Sequence, residues 1–455
     1  LIQLLNIAGL GPIFGALAGA LWGPSVYLWI VFGTIFAGGV HDYLSGMISF
    51  REDGKSLSEI VGKNLGHIML QIMRIFSIVL LVLVGVVFMT GPAMLLSKLT
   101  GQALLFWLAV VFIYYTLATL LPIDKIIGRI YPIFGAVLVF SAIGVFGAML
   151  IFHYPILNVW DSWNTSAFAY GDYFFGRGEM VAFGHFMPIF FVTVACGILS
   201  GFHSTQTALI ARTLKSEREG RMTFYNMMIV EGFIAMVWAA GTMALIQIGA
   251  ADGGLTMKFD GGTLKYFQQL SDGSMKAISA SSVVGVLCRK ALGPVGGAIA
   301  LAGVIVLPVT SGDTALRALR LTIADTFHIK QDNNARRLAL ATPIFALVLG
   351  ILVWSKVDAD GFNQLWRYFA WSNQAMAVFA LAAAAIYLLV ENKGVYVWMP
   401  LVPGIFYTVV CGSYILNAKI GLNLPWNAAY IGSVLLAVLY TVAIFVRGKR
   451  PANIL

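Results

Sequence analysis

Charged residues are scarce in this chain. Only 11% of its 455 residues are Asp, Glu, Lys or Arg, whereas 59% are hydrophobic. Water-soluble domains carry about 25% charged residues, so the composition excludes a single water-soluble core of this length. A helix needs about 20 residues to cross the roughly 30 Å hydrocarbon layer of a bilayer. The sequence therefore predicts a polytopic, all-α membrane protein with room for about twelve crossings.

Cysteine is also rare, since Cys196, Cys288 and Cys411 are the only three. Their number is odd and none has C-x-x-C spacing, which argues against a disulfide framework and a thiolate metal site. We interpret them as small buried side chains and expect neither a metal nor a cofactor. The chain begins at Leu1 with no basic region before its first apolar stretch, so we expect a truncated or processed start rather than a signal peptide.

Twelve apolar runs are candidates for membrane segments, numbered one to twelve along the chain. They cover residues 1–21, 26–50, 68–96, 103–121, 130–152, 187–210, 222–248, 293–311, 338–353, 365–389, 397–416 and 428–446. The connections after even-numbered segments contain 18 Lys and Arg residues, against nine on the other side. By the positive-inside rule we predict that segment one runs outward and that the C-terminus is cytoplasmic. The net charge of +9 is thus explained without nucleic acid as a partner.

Two segments are interrupted at membrane depth, segment one by Gly-Leu-Gly-Pro at 9–12 and segment six by Gly-Ile-Leu-Ser-Gly-Phe-His-Ser-Thr at 197–205. They lie five segments apart, and an odd offset reverses the orientation, as an inverted five-plus-five repeat requires. Backbone opened inside a membrane needs a protein-lined or watery cavity. We therefore predict an inverted-repeat transporter fold with broken helices one and six, a central site between the breaks, and two additional C-terminal helices.

This organisation divides the chain into four parts. Residues 1–152 are predicted to form the first five-helix repeat, and residues 153–186 an extracytoplasmic loop. Residues 187–390 would form the second five-helix repeat, and residues 391–455 the two additional helices with a cytoplasmic tail.

The first break offers backbone groups to a solute. Pro12 suits the first position of a restarting helix and Gly11 tolerates unusual backbone angles, so the amides from Ile13 onward would point at the membrane centre. Such a helix start attracts carboxylates. Alternatively, glycines spaced by four only let two helices pack closely. The predicted substrate site takes residues from both breaks: Gly9, Gly11, Pro12, Ile13, Gly197, Gly201, Phe202, His203 and Ser204.

Three ionisable residues at membrane depth, His203, Glu231 and Asp42, are candidates for proton coupling. Histidine titrates near neutral pH, and His203 follows the second break directly. Each residue also has a structural alternative. A neutral His203 would cap opened backbone. Asp42 would pair with Arg51 or a helix terminus near the cytoplasmic end, and a protonated Glu231 would bond to a neighbouring helix.

A cluster of oxygen-bearing residues ends segment eight. Thr310, Ser311 and Asp313 supply hydroxyl and carboxylate groups of the kind that hard cations take, so a sodium site against the broken first helix is conceivable. Asp313 would serve equally well in an N-cap or in a salt bridge with Arg317.

Several motifs together resemble the carbon starvation protein A family of bacterial transporters. They are Gly-Leu-Gly-Pro at 9–12, His-Asp-Tyr at 41–43, the stretch 51–59, Ala-Cys-Gly-Ile-Leu-Ser-Gly-Phe-His at 195–203, the stretch 310–317 and Ser-Asn-Gln at 372–374. The resemblance implies an inverted-repeat, proton-coupled carrier that takes up peptides or, in some members, pyruvate during nutrient limitation.

Two features depart from that family. Its longer members have extra membrane segments before the Ser-Gly-Phe-His motif, where this chain has only the connection 153–185. After His203 the chain reads Ser-Thr-Gln-Thr, whereas the family has a Gly-Thr-Thr-Pro-Lys type. These departures bear most on the identity of the substrate.

We therefore predict a proton symporter for a short peptide or a small carboxylate such as pyruvate, in the bacterial inner membrane. Its partners would be that solute, the coupling proton or sodium ion, and the lipid bilayer. A sodium-coupled carrier is the nearest alternative, and a channel or nutrient sensor is the alternative of another class, because broken helices line pores too. An enzyme is disfavoured, since the sequence has neither an H-E-x-x-H motif nor a G-x-S-x-G elbow.

Overall fold

The computed structural model describes residues 2–120, 123–157, 159, 186–194, 197–260, 263–357 and 361–449, which are predominantly helical. Eight helices among these residues are long and apolar enough to cross a membrane. Two shorter apolar helices, Gly11–Trp22 and Leu104–Ala118, accompany them. These helices confirm the prediction of a predominantly helical membrane protein. Most of the predicted extracytoplasmic loop, Cys196 and the last residues of the tail lie outside the described residues.

Every apolar run contains helix in the described part of the chain. In order of the twelve segments, the helices are Ile2–Ile7 with Gly11–Trp22; Ser25–Gly33, Thr34–Gly38 and Gly39–Arg51; His67–Thr100; Leu104–Leu120; Ile123–Ile151; Phe186–Thr193 with Gly201–Ala211; Glu217–Ile248; Ala280–Thr326; Asn334–Val357; Gly361–Val390; Trp398–Asn417; and Trp426–Gly448. The count of twelve crossings and the inverted repeat remain predictions.

Segment eight differs most from its predicted bounds. Its helix runs from Ala280 to Thr326, with non-helical backbone angles at Gly293, where φ is 70°. Arg317 and Arg320 therefore lie in a helix and are buried, although the charge pattern placed them in a cytoplasmic loop. Segment eight packs along segments three and five. The helix is longer than the apolar run predicts, because the cytoplasmic half of the helix carries polar and charged residues that face other parts of the protein.

Tyr115 of segment four joins segments three and eight through one buried hydroxyl. Pro92 lies inside the helix of segment three and has no N–H, so the carbonyl of Phe88 four residues earlier lacks its helical donor. The Tyr115 hydroxyl lies 3.0 Å from that carbonyl and 2.9 Å from the carbonyl of Pro308. Gly312 leaves the space that the phenol needs, because a Cβ there would lie 2.1 Å from the Tyr115 oxygen.

Large apolar side chains cover the outside of the helices. Ile113, Ile143, Ile299, Val434 and Leu439 are between 46% and 64% exposed. Exposing an apolar surface of this extent to water is unfavourable. Contact with lipid removes that free-energy cost. Segments eleven and twelve pack against each other and against segment ten, with segment twelve the less buried of the two. Cys288 and Cys411 are buried, as expected.

A small antiparallel sheet lies in the long connection before segment eight, where the hydropathy pattern predicts no strands. Its order is β1 Thr256–Asp260, β2 Thr263–Gln269 and β3 Met275–Ile278. Tyr266 of β2 is 1% exposed, and its hydroxyl donates to the carbonyl of Leu17 over 2.6 Å. The sheet therefore packs against the end of segment one that is predicted to face outward.

The connection between segments two and three contains a short helix, Leu57–Leu65, that begins with a capping box between Ser56 and Glu59. Just before it, Glu52 accepts hydrogen bonds from Lys55 (2.9 Å) and from Lys63. Partial burial would raise the pKa of Glu52, but the hydrogen bonds from the two lysines outweigh it, so the pKa lies below its ordinary value.

Candidate functional site

The two breaks touch each other in the middle of the helical bundle. Segment one is open between Ile7 and Gly11, and the described residues 197–200 of segment six are not helical. Gly197 has a φ of 93°, which favours glycine, and a Cβ added to it would lie 2.6 Å from the Cα of Pro12. The absence of a side chain at Gly197 thus lets the two opened backbones meet directly.

Two neighbouring side chains of segment ten satisfy both opened ends of segment six. The Asn373 carboxamide oxygen accepts from the Phe202 amide (2.7 Å) and from the Ser200 hydroxyl (3.0 Å). The Gln374 side-chain nitrogen donates to the carbonyl of Phe191 over 2.5 Å. Helix ends that lack such partners are costly inside a membrane. Segment ten therefore holds the break open in a defined geometry.

Side chains of segment eight provide hydrogen-bond partners for the opened backbone of segment one. Thr310 and Ser311 place their hydroxyls 3.4 and 3.2 Å from the Leu5 carbonyl, and Ser311 lies 3.1 Å from the Asn6 carbonyl. Asp313 does not join this group. It forms a buried ion pair with Arg317 at 3.1 Å, which is the salt-bridge alternative.

Four titratable side chains form a buried row across segments two, six and seven. Asp42 accepts from the Nδ1 of His41 at 2.8 Å and from the Nδ1 of His203 at 3.0 Å. The Nε2 of His203 lies 3.7 Å from a carboxylate oxygen of Glu231. All four residues are at most 2% exposed. The carboxylate oxygens of Glu231 have no hydrogen-bond partner within the described part of the chain.

Asp42 thus pairs with two histidines rather than with Arg51. The Arg51 guanidinium instead makes two hydrogen bonds to Glu217, at 2.7 and 2.9 Å, between the end of segment two and the connection before segment seven. Among the described residues, no group of three or more His, Cys, Asp or Glu side chains is arranged to hold a metal ion.

Both breaks and two of the four titratable groups, His203 and Glu231, line a small central cavity of about 10 Å³. That is roughly the space one water molecule needs. Its walls are Ile7, Gly11, Pro12, Phe88, Gly197, Ser200, Phe202, His203, Glu231, Phe369 and Asn373. All these residues are buried. The described conformation is therefore closed around the site, and a solute larger than water needs the surrounding segments to separate.

Five of the nine residues predicted to bind substrate line this cavity: Gly11, Pro12, Gly197, Phe202 and His203. The other four lie nearby without lining it. Gly9 packs against Phe88, and Ile13 is fully buried. Gly201 lies against the backbone of Asn373, and the Ser204 hydroxyl donates to the Gly201 carbonyl within its own helix.

Sequence reasoning missed the aromatic walls and the cap from segment ten. Phe88 packs edge-on against Phe202 and Phe369, with ring centroids 5.9 and 6.0 Å apart. Phe88 lies in an uninterrupted apolar run that gave no local signal. The Ser-Asn-Gln motif at 372–374 contains Asn373, and a polar triplet inside an apolar segment indicates a capping role.

The fold matches a solved structure over almost the whole chain. The crystal structure of MhsT in complex with L-phenylalanine superposes on this chain with a TM-score of 0.57, covering 98% of this chain and 97% of that one at 12% identity. At this identity the likeness establishes the fold only. The fold and the membrane helices define a multi-pass, predominantly helical membrane protein.

The family is established by sequence. The model of the carbon starvation protein CstA family matches residues 3–100, 91–258 and 277–413, so the chain belongs to that family. A peptide transporter CstA of Bacillus subtilis is 26% identical over 98% of this chain and 87% of its own length. A pyruvate/proton symporter BtsT of Escherichia coli is 23% identical over 91% and 73%. An uncharacterized membrane protein of Haemophilus influenzae is 40% identical over 54% and 77%. The chain is thus a multi-pass protein of a bacterial inner membrane.

Proposed function

We propose that this transporter is a proton symporter that takes up a small carboxylate such as pyruvate, or a short peptide, during nutrient starvation. The observation that carries the proposal is the position of His203 between Asp42 and Glu231 beside the closed central cavity. The relatives named as a peptide transporter and as a pyruvate/proton symporter support the two solute classes.

The geometry around His203 favours proton exchange. Asp42 accepts from the Nδ1 of His203, so the Nε2 facing Glu231 is the nitrogen whose protonation can change. A proton at this end can reside on the Nε2 or on Glu231. When it is lost, two carboxylates remain in a closed site, and unpaired charges there cost several kcal/mol. Closure of the site would therefore require the proton.

The same charge balance couples the solute to the proton. An anionic solute beside Asp42 and Glu231 is repelled unless the row of titratable groups is protonated. At the second break the Phe202 amide is already held by Asn373, so we infer that the start of the helix at Gly11 provides most of the backbone recognition. The aromatic walls formed by Phe88 and Phe369 would contact the apolar part of the solute.

The domain organisation belongs to the same proposal. We infer that residues 1–152 and 187–390 are two inverted five-helix repeats and that residues 391–455 add two further helices, which makes twelve crossings. The superposition on the MhsT fold supports this arrangement. If segments one to five do not superpose on segments six to ten after a half-turn about an axis in the membrane plane, the repeat is wrong.

Sodium coupling is the second candidate. The observation in its favour is the meeting of Thr310 and Ser311 with the carbonyls of segment one, since sodium binds hydroxyl and carbonyl oxygens. In this alternative the cation would replace the hydroxyl protons as the partner of those carbonyls. Asp313 would take no part while it remains paired with Arg317.

Uptake of labelled pyruvate into proteoliposomes tests the proposal, with unlabelled short peptides as competitors. An inward proton gradient should drive accumulation, and a proton ionophore should abolish it. The variant His203→Gln should bind solute yet lose dependence on the pH gradient, because glutamine retains hydrogen bonding but cannot carry the proton. Accumulation that ignores the ionophore and requires sodium would replace the proposal with the second candidate. Solute movement that never exceeds equilibration would indicate a channel.

A further inference from the structure

A second and larger cavity lies at the end of the bundle that is predicted to face outward. Its volume is about 390 Å³, and it opens between the last turns of segment three, strand β3 and the first turns of segment eight. Ligand cavities for small molecules begin at about 300 Å³. The cavity is therefore large enough for a small organic molecule or a lipid headgroup in the described conformation.

Three cationic side chains line this cavity, and they come from three different elements. Lys98 lies near the end of segment three, Lys276 in β3, and Arg289 in the first stretch of segment eight. None of them has an acidic partner within the described residues, and no acidic side chain lines the cavity. Lys98 and Lys276 place two like charges around one cavity, and like charges repel each other. An anion would relieve that repulsion.

The rest of the lining determines what kind of anion fits. Ser279 and Ser282 bring hydroxyls to the rim, and the Lys98 ammonium donates to Ser282, so hydrogen-bond donors surround the cations. Leu95 and Leu301 form a buried apolar floor. Oxyanions such as carboxylate and phosphate are the partners of clustered Lys and Arg. The apolar floor would contact the part of the ligand that bears the oxyanion.

We propose that this outer basic cavity, defined by Lys98, Lys276 and Arg289, binds the carboxylate or phosphate group of an anionic ligand. The ligand is either a soluble organic anion or the headgroup of an anionic phospholipid, since both present the same oxyanion. A soluble anion held here would be concentrated near the outer face before transport. An anionic headgroup would anchor the sheet and segment three to the lipid surface. The site is separate from the central cavity and does not depend on the proposed coupling.

The test compares the full chain with the variant Lys98→Gln/Lys276→Gln/Arg289→Gln. The control is Lys258→Gln/Lys265→Gln/Lys290→Gln, which removes the same charge from the same part of the protein without altering the cavity lining. In phosphatidylcholine nanodiscs, sodium phosphate at constant ionic strength should raise the melting temperature of the wild type and of the control. The apparent affinity of the cavity variant for phosphate should be at least tenfold weaker.

A second arm separates the two sources of the oxyanion. Native mass spectrometry should detect phosphatidylglycerol retained by the wild type and the control, and lost from the cavity variant, if the ligand is a headgroup. A response to phosphate without lipid retention identifies a soluble anion. Equal behaviour of all three proteins in both arms overturns the proposal. If the cavity variant does not fold, the single variants Lys276→Gln and Arg289→Gln should each show a partial loss, and wild-type behaviour of both singles likewise overturns it.

Discussion

Replacing Asn373 by leucine should destabilise the protein and stop transport, because this side chain holds the second break open. Leucine has a similar volume but no hydrogen-bonding atoms. The Phe202 amide and the Ser200 hydroxyl, which now donate to Asn373, would remain buried without an acceptor. Because Asn373 is 0% exposed, water does not replace it.

The size of the effect follows from those two donors. A buried donor that loses its acceptor costs about 1 to 3 kcal/mol, so two of them give about 2 to 6 kcal/mol. The lower end applies if the Ser200 hydroxyl rotates toward another acceptor. The free energy of unfolding in mixed micelles, measured by titration with a denaturing detergent, reports this loss. Uptake should fall further, because His203 lies one residue beyond Phe202 and would lose its position.

The matched control is Ser372→Ala, which removes a buried hydroxyl from the adjacent position without touching the break. That variant should unfold with a free energy within about 1 kcal/mol of the wild type. If Asn373→Leu and Ser372→Ala have the same stability and both transport normally, the capping role assigned to segment ten is wrong.

Four further outcomes are expected. Gly197→Ala should insert normally yet abolish uptake. The φ of 93° at this position disfavours alanine, and the added Cβ would lie only 2.6 Å from the Cα of Pro12 in the other break. Arg367→Gln should keep solute affinity within a few fold, because that side chain is exposed, and a loss beyond about thirtyfold would contradict recognition by backbone amides. Gly312→Ala should lower thermal stability, and combining it with Tyr115→Phe should restore part of the loss, which a double-mutant cycle measures. Glu52→Gln should lower the melting temperature near pH 7 by the equivalent of at most about 1 kcal/mol. The ionised Glu52 stabilises the protein above the ordinary Glu pKa of about 4.3, and this stabilisation is lost as the pH falls through the lowered pKa of Glu52.

Hydropathy and local chemistry predicted the helices and both breaks well, because each is determined by a short stretch of sequence. Clusters of glycine and proline favour an opened helix, so residues 9–12 and 197–201 could be recognised without any tertiary information. The polar residues Asp42, His203 and Glu231 were also visible, since few ionisable groups lie inside apolar runs. Their grouping into one row was not, because nothing local relates residues separated by 161 positions.

Features that depend on packing could not be predicted from the sequence for a similar reason. Phe88 and Phe369 look like any other apolar residues of a membrane helix, and only the fold brings them to the cavity. The extent of segment eight was misjudged because Arg317 resembles a loop residue by charge, while its pairing with Asp313 and with the Ala118 carbonyl lets it be buried. The three strands were not predicted, because the long apolar runs on either side of them favour helices. The Asp-Gly pair at 260–261 is nevertheless a recognisable hairpin signal.

The hydroxyl of Tyr115 has one proton and two carbonyls within reach, those of Phe88 and Pro308. A single proton cannot bond fully to both carbonyls at once, so the hydroxyl divides its donation between segments three and eight. The two contacts are almost equal in length, at 3.0 and 2.9 Å, so neither carbonyl is clearly the preferred acceptor. The Tyr115 hydroxyl can therefore pass its donation from one helix to the other when segments three and eight shift slightly, while the phenol keeps their spacing.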